Sequence, residues 1–325
     1  MKARYGVLSI ALLAQLLLAA GLYWRGEPST SGPARQALLA GAVGEVDRVL
    51  VSDGDSEVTL VRDGNDWRLP ALERLPADAA RVSEMLEKVA AASTGWPVTT
   101  TRGSQERFEV AADKFQRRVQ LYHGDTRLAG FYLGTSPGFR QVHVRGLDQD
   151  AVYTAQLNVS DFPVDDNDWL DQSLLAVANP RQIEGTNFTL VKNADDGWAF
   201  TAADLPSAGE LPQVDADSAA RLASALSTLR VQAVAEDAPP VDALDGAGWT
   251  LRVAGDNSVL QYRFHSADDE YYVQRDDLAP VFSLSRYDYE RIADVGLEEL
   301  ALAPEPAQSP AQEQAAVVEE QNPQG

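Results

Sequence analysis

Leu60-Val61-Arg62-Asp63-Gly64-Asn65-Asp66-Trp67 reads as a strand, a tight turn and the start of a second strand, and Leu190-Val191-Lys192 followed by Gly197-Trp198 answers it later in the chain. The two tryptophans stand 131 residues apart (198 − 67). Four further landmarks recur in the same order. Ala79-Ala80-Arg81-Val82 is matched by Ala219-Ala220-Arg221-Leu222, and Val119-Gln120-Leu121 by Thr250-Leu251-Arg252-Val253. Val142-His143-Val144 is matched by Tyr271-Tyr272-Val273, and Ala151-Val152-Tyr153 by Pro280-Val281-Phe282. An ordered run of this kind indicates tandem duplication of one structural unit. The spacing drifts because residues 202–214 lengthen the second half and residues 93–118 the first, as loop changes do.

Working outward, residues 48–52 and 57–62 alternate as strands around the turn Asp53-Gly54-Asp55. Pro76-Ala77-Asp78 opens a helix whose stripe is Ala79, Val82, Met85, Leu86 and Val89. Strands are expected at 119–123, 127–133, 141–144 and 151–154. The second half gives strands at 187–192 and 198–201. A helix follows, capped by Asp215 or Asp217, with Ala219, Leu222, Leu226 and Leu229 inward. Strands at 249–253, 259–264, 271–274 and 281–284 complete it. Runs of strands with one main helix per unit argue for α+β units of mostly antiparallel sheet.

Residues 5–24 carry no charge, and as a helix they would span about 30 Å, the thickness of a bilayer core. Lys2 and Arg4 precede the stretch and Tyr23-Trp24 close it, as at a membrane interface. A retained transmembrane anchor fits better than a cleaved signal peptide, whose apolar core is shorter and ends in a small-x-small site. Either way the body lies outside the cytoplasm. The expected organisation is a cytoplasmic start and anchor at 1–25, a linker at 26–40, a first unit at 41–178, a second at 179–302 and a disordered tail at 303–325 rich in Pro, Ala, Gln and Glu.

The net charge is −22, and after Arg25 it is −25, from 24 basic and 49 acidic residues. Such a body should repel nucleic acid and anionic lipid headgroups. The chain has no cysteine, which removes disulfides, thiolate nucleophiles, cysteine metal sites and a lipoprotein anchor together.

No constellation carries chemistry. His123, His143 and His265 belong to no metal-ligand pair and read as surface or edge residues. Asp165-Asp166-Asn167-Asp168 with Asp171 is the densest set of oxygen ligands, but it lacks the glycine of a calcium loop and reads as a solvated helix start. Asp268-Asp269-Glu270 reads as a charged turn, Trp67 and Trp198 as paired core anchors. Tyr271-Tyr272 and Tyr287-Asp288-Tyr289 make either a surface patch or alternate faces of a sheet and a packed helix. The motifs of serine hydrolases, P-loop hydrolases and dinucleotide-binding proteins are missing. No residue is nominated as catalytic, cofactor-binding or metal-binding, and no cofactor is expected.

The anchor, the run from Leu60 to Trp67, the Pro76-Ala77-Asp78 helix entry and their replay resemble an uncharacterised, domain-of-unknown-function family of membrane-anchored bacterial envelope proteins. Arg107-Phe108-Glu109-Val110 is similar to the family's aromatic-Gly-Leu stretch before a strand, with Glu109 in place of the glycine and no proline soon after. Members are often encoded beside gliding-motility-type ABC transporters. The resemblance implies a non-enzymatic accessory or scaffold subunit of an ABC-transporter-like complex, single-pass in the bacterial inner membrane, N-terminus cytoplasmic and body periplasmic. A binding module for an envelope glycan or lipid is the alternative.

Overall fold

The computed structural model describes residues 12, 14–17, 36–39, 41–201, 212–236, 238–239, 248–256, 258–293 and 295–302. It is an α+β fold with one eight-stranded sheet in each of two compact units and few helices. Unit 1 ends at Asp171 and unit 2 begins at Gln172. The division falls earlier than the expected 178/179 because residues 172–175 are hydrogen-bonded into the second sheet. Val231 N–H donates to the Gln172 carbonyl at 2.9 Å, and the buried Tyr262 hydroxyl donates to that of Leu175 at 2.8 Å.

In unit 1 the strands are β1 (Arg48–Ser52), β2 (Glu57–Asp63), β3 (Asp66–Leu69), β4 (Leu75–Pro76), β5 (Arg117–His123), β6 (Thr126–Leu133), β7 (Val142–Gly146) and β8 (Val152–Ala155). Their order across the sheet is β8-β7-β6-β5-β1-β2-β3-β4, with every pair antiparallel. The alternation legible in the sequence puts Val49, Val51, Leu60, Val119, Leu121 and Leu133 at 0% exposure. Helix α1 (Ala79–Ala91) buries Val82, Met85, Leu86 and Val89, each contributing roughly 1.5–3 kcal/mol before entropy. Ala79, expected in that stripe, is exposed, because it occupies the first turn. The Asp78 carboxylate caps the helix, accepting from Ala80 and Arg81 N–H at 3.0 Å each.

Residues 93–118, expected only as a long loop, cover the other sheet face. Helix α2 (Arg102–Arg107) and the hairpin Val110–Ala111/Lys114–Phe115 set Val110 against Tyr132 and Val152, with Phe108, Phe115 and Leu147 packed around them. The crossing depends on Gly134, where a Cβ would run into the carbonyl oxygens of Phe108 and Glu109. Glu109, which stands where the sequence comparison led us to expect glycine, has φ 55°, in the left-handed region glycine favours.

Unit 2 comprises β9 (Gln182–Glu184), β10 (Thr189–Lys192), β11 (Trp198–Phe200), helix α3 (Ala216–Ser227), β12 (Val231–Val234), β13 (Trp249–Ala254), β14 (Val259–Ala267), β15 (Glu270–Arg275) and β16 (Val281–Leu284). Short helices follow at Arg286–Glu290 and Leu297–Leu300. The sheet order is β11-β10-β9-β13-β14-β15-β16-β12. Read from the other end, β16-β15-β14-β13-β9-β10-β11 repeats β8-β7-β6-β5-β1-β2-β3 strand for strand. The edge held by β12 is taken in unit 1 by Val98-Thr99, which pairs with Val152 through bonds of 2.7 and 2.8 Å.

The register repeats as well. Val49 lies between Leu60 and Leu121, and Ile183 between Leu190 and Val253. Arg62 faces Trp67 as Lys192 faces Trp198, and Val144 faces Tyr153 as Val273 faces Phe282. Asp215 is the second helix cap, accepting from Asp217 and Ser218 N–H. Cap to cap the lag is 137 (215 − 78), so the two Ala-Ala-Arg triplets stand about one helical turn out of step.

Of the apolar stretch 5–24, only Leu12 and residues 14–17 are described; they are helical and exposed. Among the described residues no helix is long and apolar enough to cross a membrane. The rest of that stretch and residues 303–325 lie outside the described residues. The expected linker 26–40 is engaged with unit 1 before it ends, since Gln36–Ala37 pairs antiparallel with Ser93–Thr94 and Leu39 is buried.

Gly134→Ala should cost unit 1 about 1–3 kcal/mol by overpacking, and more if the 93–118 segment lifts off the sheet. Hydrogen exchange resolved by segment checks this: protection should fall around Val110 and Phe131 while unit 2 keeps its own.

Candidate functional site

Three places gather polar side chains. The first is a cleft of about 430 Å³ beside α1, lined by Asp78, Arg81, Glu84, Lys88, Ser160 and Asp161. Lys88 Nζ lies 2.7 Å from Asp161 and 2.9 Å from Glu84. The hydrogen bond to Asp161, then that to Glu84, raises the Lys88 pKa above its ordinary value. Arg81 lies over the Trp169 ring at 5.4 Å. An ammonium held between two carboxylates fastens the 158–161 turn to the helix. Its raised pKa keeps it protonated, which disqualifies it as a nucleophile or base at neutral pH.

The second is the covered face of unit 1. The His143 ring stacks on Phe108 with centroids 4.0 Å apart. Its Nδ1 lies 2.8 Å from the Thr135 carbonyl and 3.0 Å from the Thr135 hydroxyl. Arg145, 6% exposed, donates from Nε to the Val110 carbonyl and from a terminal nitrogen to that of Gln149, each at 2.7 Å, and its guanidinium lies over Tyr132. These groups pin the 93–118 segment to the sheet.

The third is in unit 2. His265 is 2% exposed and stacks on Tyr272 at 5.0 Å, and Tyr272 donates its hydroxyl to Glu270. Neither ring nitrogen of His265 has a hydrogen-bond partner among the described residues, and burial pushes its pKa down. In the repeat register Tyr272 occupies the place of His143, and His265 that of Gly134. Where unit 1 leaves room for backbone, unit 2 inserts an imidazole. Tyr271, Tyr272, Glu236, Glu270, Ser285 and Arg286 line a cleft of about 590 Å³ nearby.

The surface or edge reading therefore holds for His123 alone. His143 and His265 are buried, because the second sheet face is covered where the sequence reading left it open. Asp165 caps a short 3-10 helix at Asp166–Trp169, close to the expected helix start. Burial first, then the Asp165 charge, raises the Asp166 pKa. Among the described residues no group of three or more histidines and carboxylates is placed to hold a metal ion. Asp268 and Asp269 form a two-residue hairpin turn, both at positive φ, as a charged turn would. Trp67 is a core anchor, but Trp198 is only half-buried; each lies 5.9 Å from the cation beside it, Arg62 and Lys192. Tyr271 and Tyr272 point to alternate faces, and Tyr289 packs on Tyr271 and Phe264.

The sequence reading passed over Trp96, 73% exposed, Val98, 49% exposed, and Phe139, 88% exposed. The available signal was an aromatic residue set directly against a turn-forming proline or glycine, in Trp96-Pro97 and Pro137-Gly138-Phe139.

The chain belongs to the family described as Domain of unknown function (DUF4340), whose model matches residues 67–246. The match starts in β3 and runs past β12, so it takes in parts of both units. No curated protein and no solved structure matches the chain.

A histidine whose folded pKa is depressed holds its proton less well in the fold than in the unfolded chain. Its contribution is whole above the unfolded value near 6.5 and is lost as pH falls below it, at up to about 1.4 kcal/mol per pH unit. Unit 2 should therefore lose stability from about pH 6.5 downward. His265→Phe, which keeps the ring stacked on Tyr272, should flatten that acid-side slope and stabilise unit 2 at pH 7 by about 1 kcal/mol or more. Thermal melts from pH 7.5 to about 5, wild type beside variant, give the comparison.

Proposed function

We propose that this protein is a non-enzymatic, membrane-tethered envelope protein whose duplicated body holds a protein partner, as an accessory or scaffold subunit of an ABC-transporter-like complex. The observation that carries the reading is the repetition itself. Two sheets share strand order and pairing register, each with a filled apolar face, and the positions that correspond between them do structural work: Val49 and Ile183, Leu60 and Leu190 in packing, Asp78 and Asp215 as helix caps. Duplication of one unit doubles the surface available for contact without building a reaction centre. The ionised and polar groups that cluster are engaged in holding segments in place, as Lys88, His143 and Arg145 are. The exposed apolar residues Trp96, Val98 and Phe139 supply the kind of anchors that protein interfaces use. Anchoring by residues 5–24 and a periplasmic body complete the proposal.

The second reading, a glycan-binding module, is favoured by the unit 2 cleft, whose lining sets Tyr271 beside the carboxylates Glu236 and Glu270.

Purification of the full-length chain from detergent-solubilised membranes tests the first reading. Transporter subunits should co-elute in a fixed ratio; a lone monomer recovered under gentle conditions would sink it. Glycan-array binding lost in Tyr271→Ala would instead support the second.

A further inference from the structure

The chain's acidity is unevenly spread. From Lys88 to Arg145 it carries nine Lys/Arg against four Asp/Glu, within a protein of 27 against 49. Three of those cations, Arg102, Arg107 and Arg140, are exposed and form no ion pair among the described residues. They accompany the exposed apolar residues. Arg140 lies over the ring of Phe139, and Arg102 opens the helix just beyond Thr99.

These residues flank one strand. Val98-Thr99 pairs with Val152 of β8, so Trp96 runs alongside β8. Phe139 and Arg140 share a cleft with Gln156 and Asn158, just past the other end of the same strand, and with Glu84 and Asp161, whose charges Lys88 meets. The incoming chain is fastened here too. Gln36 pairs with Thr94, two residues before Trp96, and the Thr94 hydroxyl donates to the Gln36 carbonyl at 3.3 Å. Only eleven residues, 25–35, separate Trp24 from Gln36. Fully extended they reach about 40 Å, and as a flexible coil about 20 Å.

We infer that the Trp96–Phe139–Arg140 face of unit 1 rests on an anionic lipid surface. The inference rests on the reading of residues 5–24 as a membrane anchor. A stem that short, tied beside Trp96, holds this face near the headgroups and raises its effective concentration there. Trp and Phe side chains enter the interfacial layer, and unpaired arginines beside them favour anionic headgroups at about 1 kcal/mol per charge. An acidic body expected to be repelled by such a surface thus has a local group of exposed arginines to turn toward it.

The lack of cysteine allows a direct test. Full-length Phe139→Cys and, in unit 2, Val259→Cys are each labelled with an environment-sensitive fluorophore. Both are reconstituted into neutral vesicles and into vesicles with about 30 mol % anionic lipid. The Phe139 probe should shift to the blue and brighten by about twofold or more in anionic vesicles only, weakening at about 1 M salt, where the Debye length is ~3 Å. The Val259 probe should not respond. Arg102→Gln with Arg140→Gln should reduce the shift. Vesicle flotation on the same samples separates the two premises. Protein that fails to float overturns the anchor and this inference with it. Floating protein whose Phe139 probe stays in water overturns the face alone, and an equal shift in neutral vesicles overturns the headgroup assignment.

Discussion

Each sheet depends on its first strand being threaded into its middle. Val49 pairs with Leu60 on one side and with Leu121 on the other, across 72 residues of chain (121 − 49). Ile183 makes the same double pairing with Leu190 and Val253. A central strand that closes so long a loop must repay the closure entropy with buried area on both neighbours. Val49, Ile183 and their partners are accordingly all at 0% exposure. The short β1–β2 turn and the capped helix are local and inexpensive; the β1–β5 pairing commits the unit to its topology.

With that pairing made, the units part company on the second face of the sheet. In unit 1, residues 93–118 cross over Gly134, and Phe108 settles on His143. In unit 2 the positions of Gly134 and His143 are held by His265 and Tyr272, which stack on each other. One framework thus carries two coverings. The first is a backbone crossing secured by Arg145 and His143; the second is an aromatic pair that includes a titratable ring with no hydrogen-bond partner among the described residues. The difference gives unit 2 a buried histidine whose depressed pKa is expected to cost it stability as pH falls below about 6.5.

Much of the framework was legible because it is local. Alternation located most strands within about two residues, and β1 and β16 matched at both ends, but β14 runs three residues past its expected end and β4, β12 and the central β9 went unread. Asp78 announced the first helix and the pair Asp215 and Asp217 the second, with Asp215 the cap, and the repeat landmarks at Val144/Val273 and Tyr153/Phe282 pair as the lag required. The covering of the second face was not legible. The approach of the Phe108 carbonyl to Gly134 is a contact between segments distant in sequence, and nothing in Arg102–Arg107 alone forecasts which face it covers. The buried histidines went unread for the same reason. The boundary at Asp171 is set by carbonyls of Gln172 and Leu175 reaching strands far along the chain, which composition does not report. Phe139 and Trp96 were hidden by the opposite bias, since aromatic residues are taken to lie inside.

The two-residue strand β4 has a consequence for behaviour in a crowded compartment. Pro76 offers no N–H, its carbonyl accepts from Asp171 N–H, and Ala77 bridges Leu170, so the outer rim of that strand is spoken for. At the far rim Val98 and Thr99 occupy the free groups of Val152. With Pro76 and Ala77 tied to Leu170 and Asp171 at one margin and Val152 to Val98 and Thr99 at the other, a neighbouring polypeptide finds fewer open groups on which to extend this sheet.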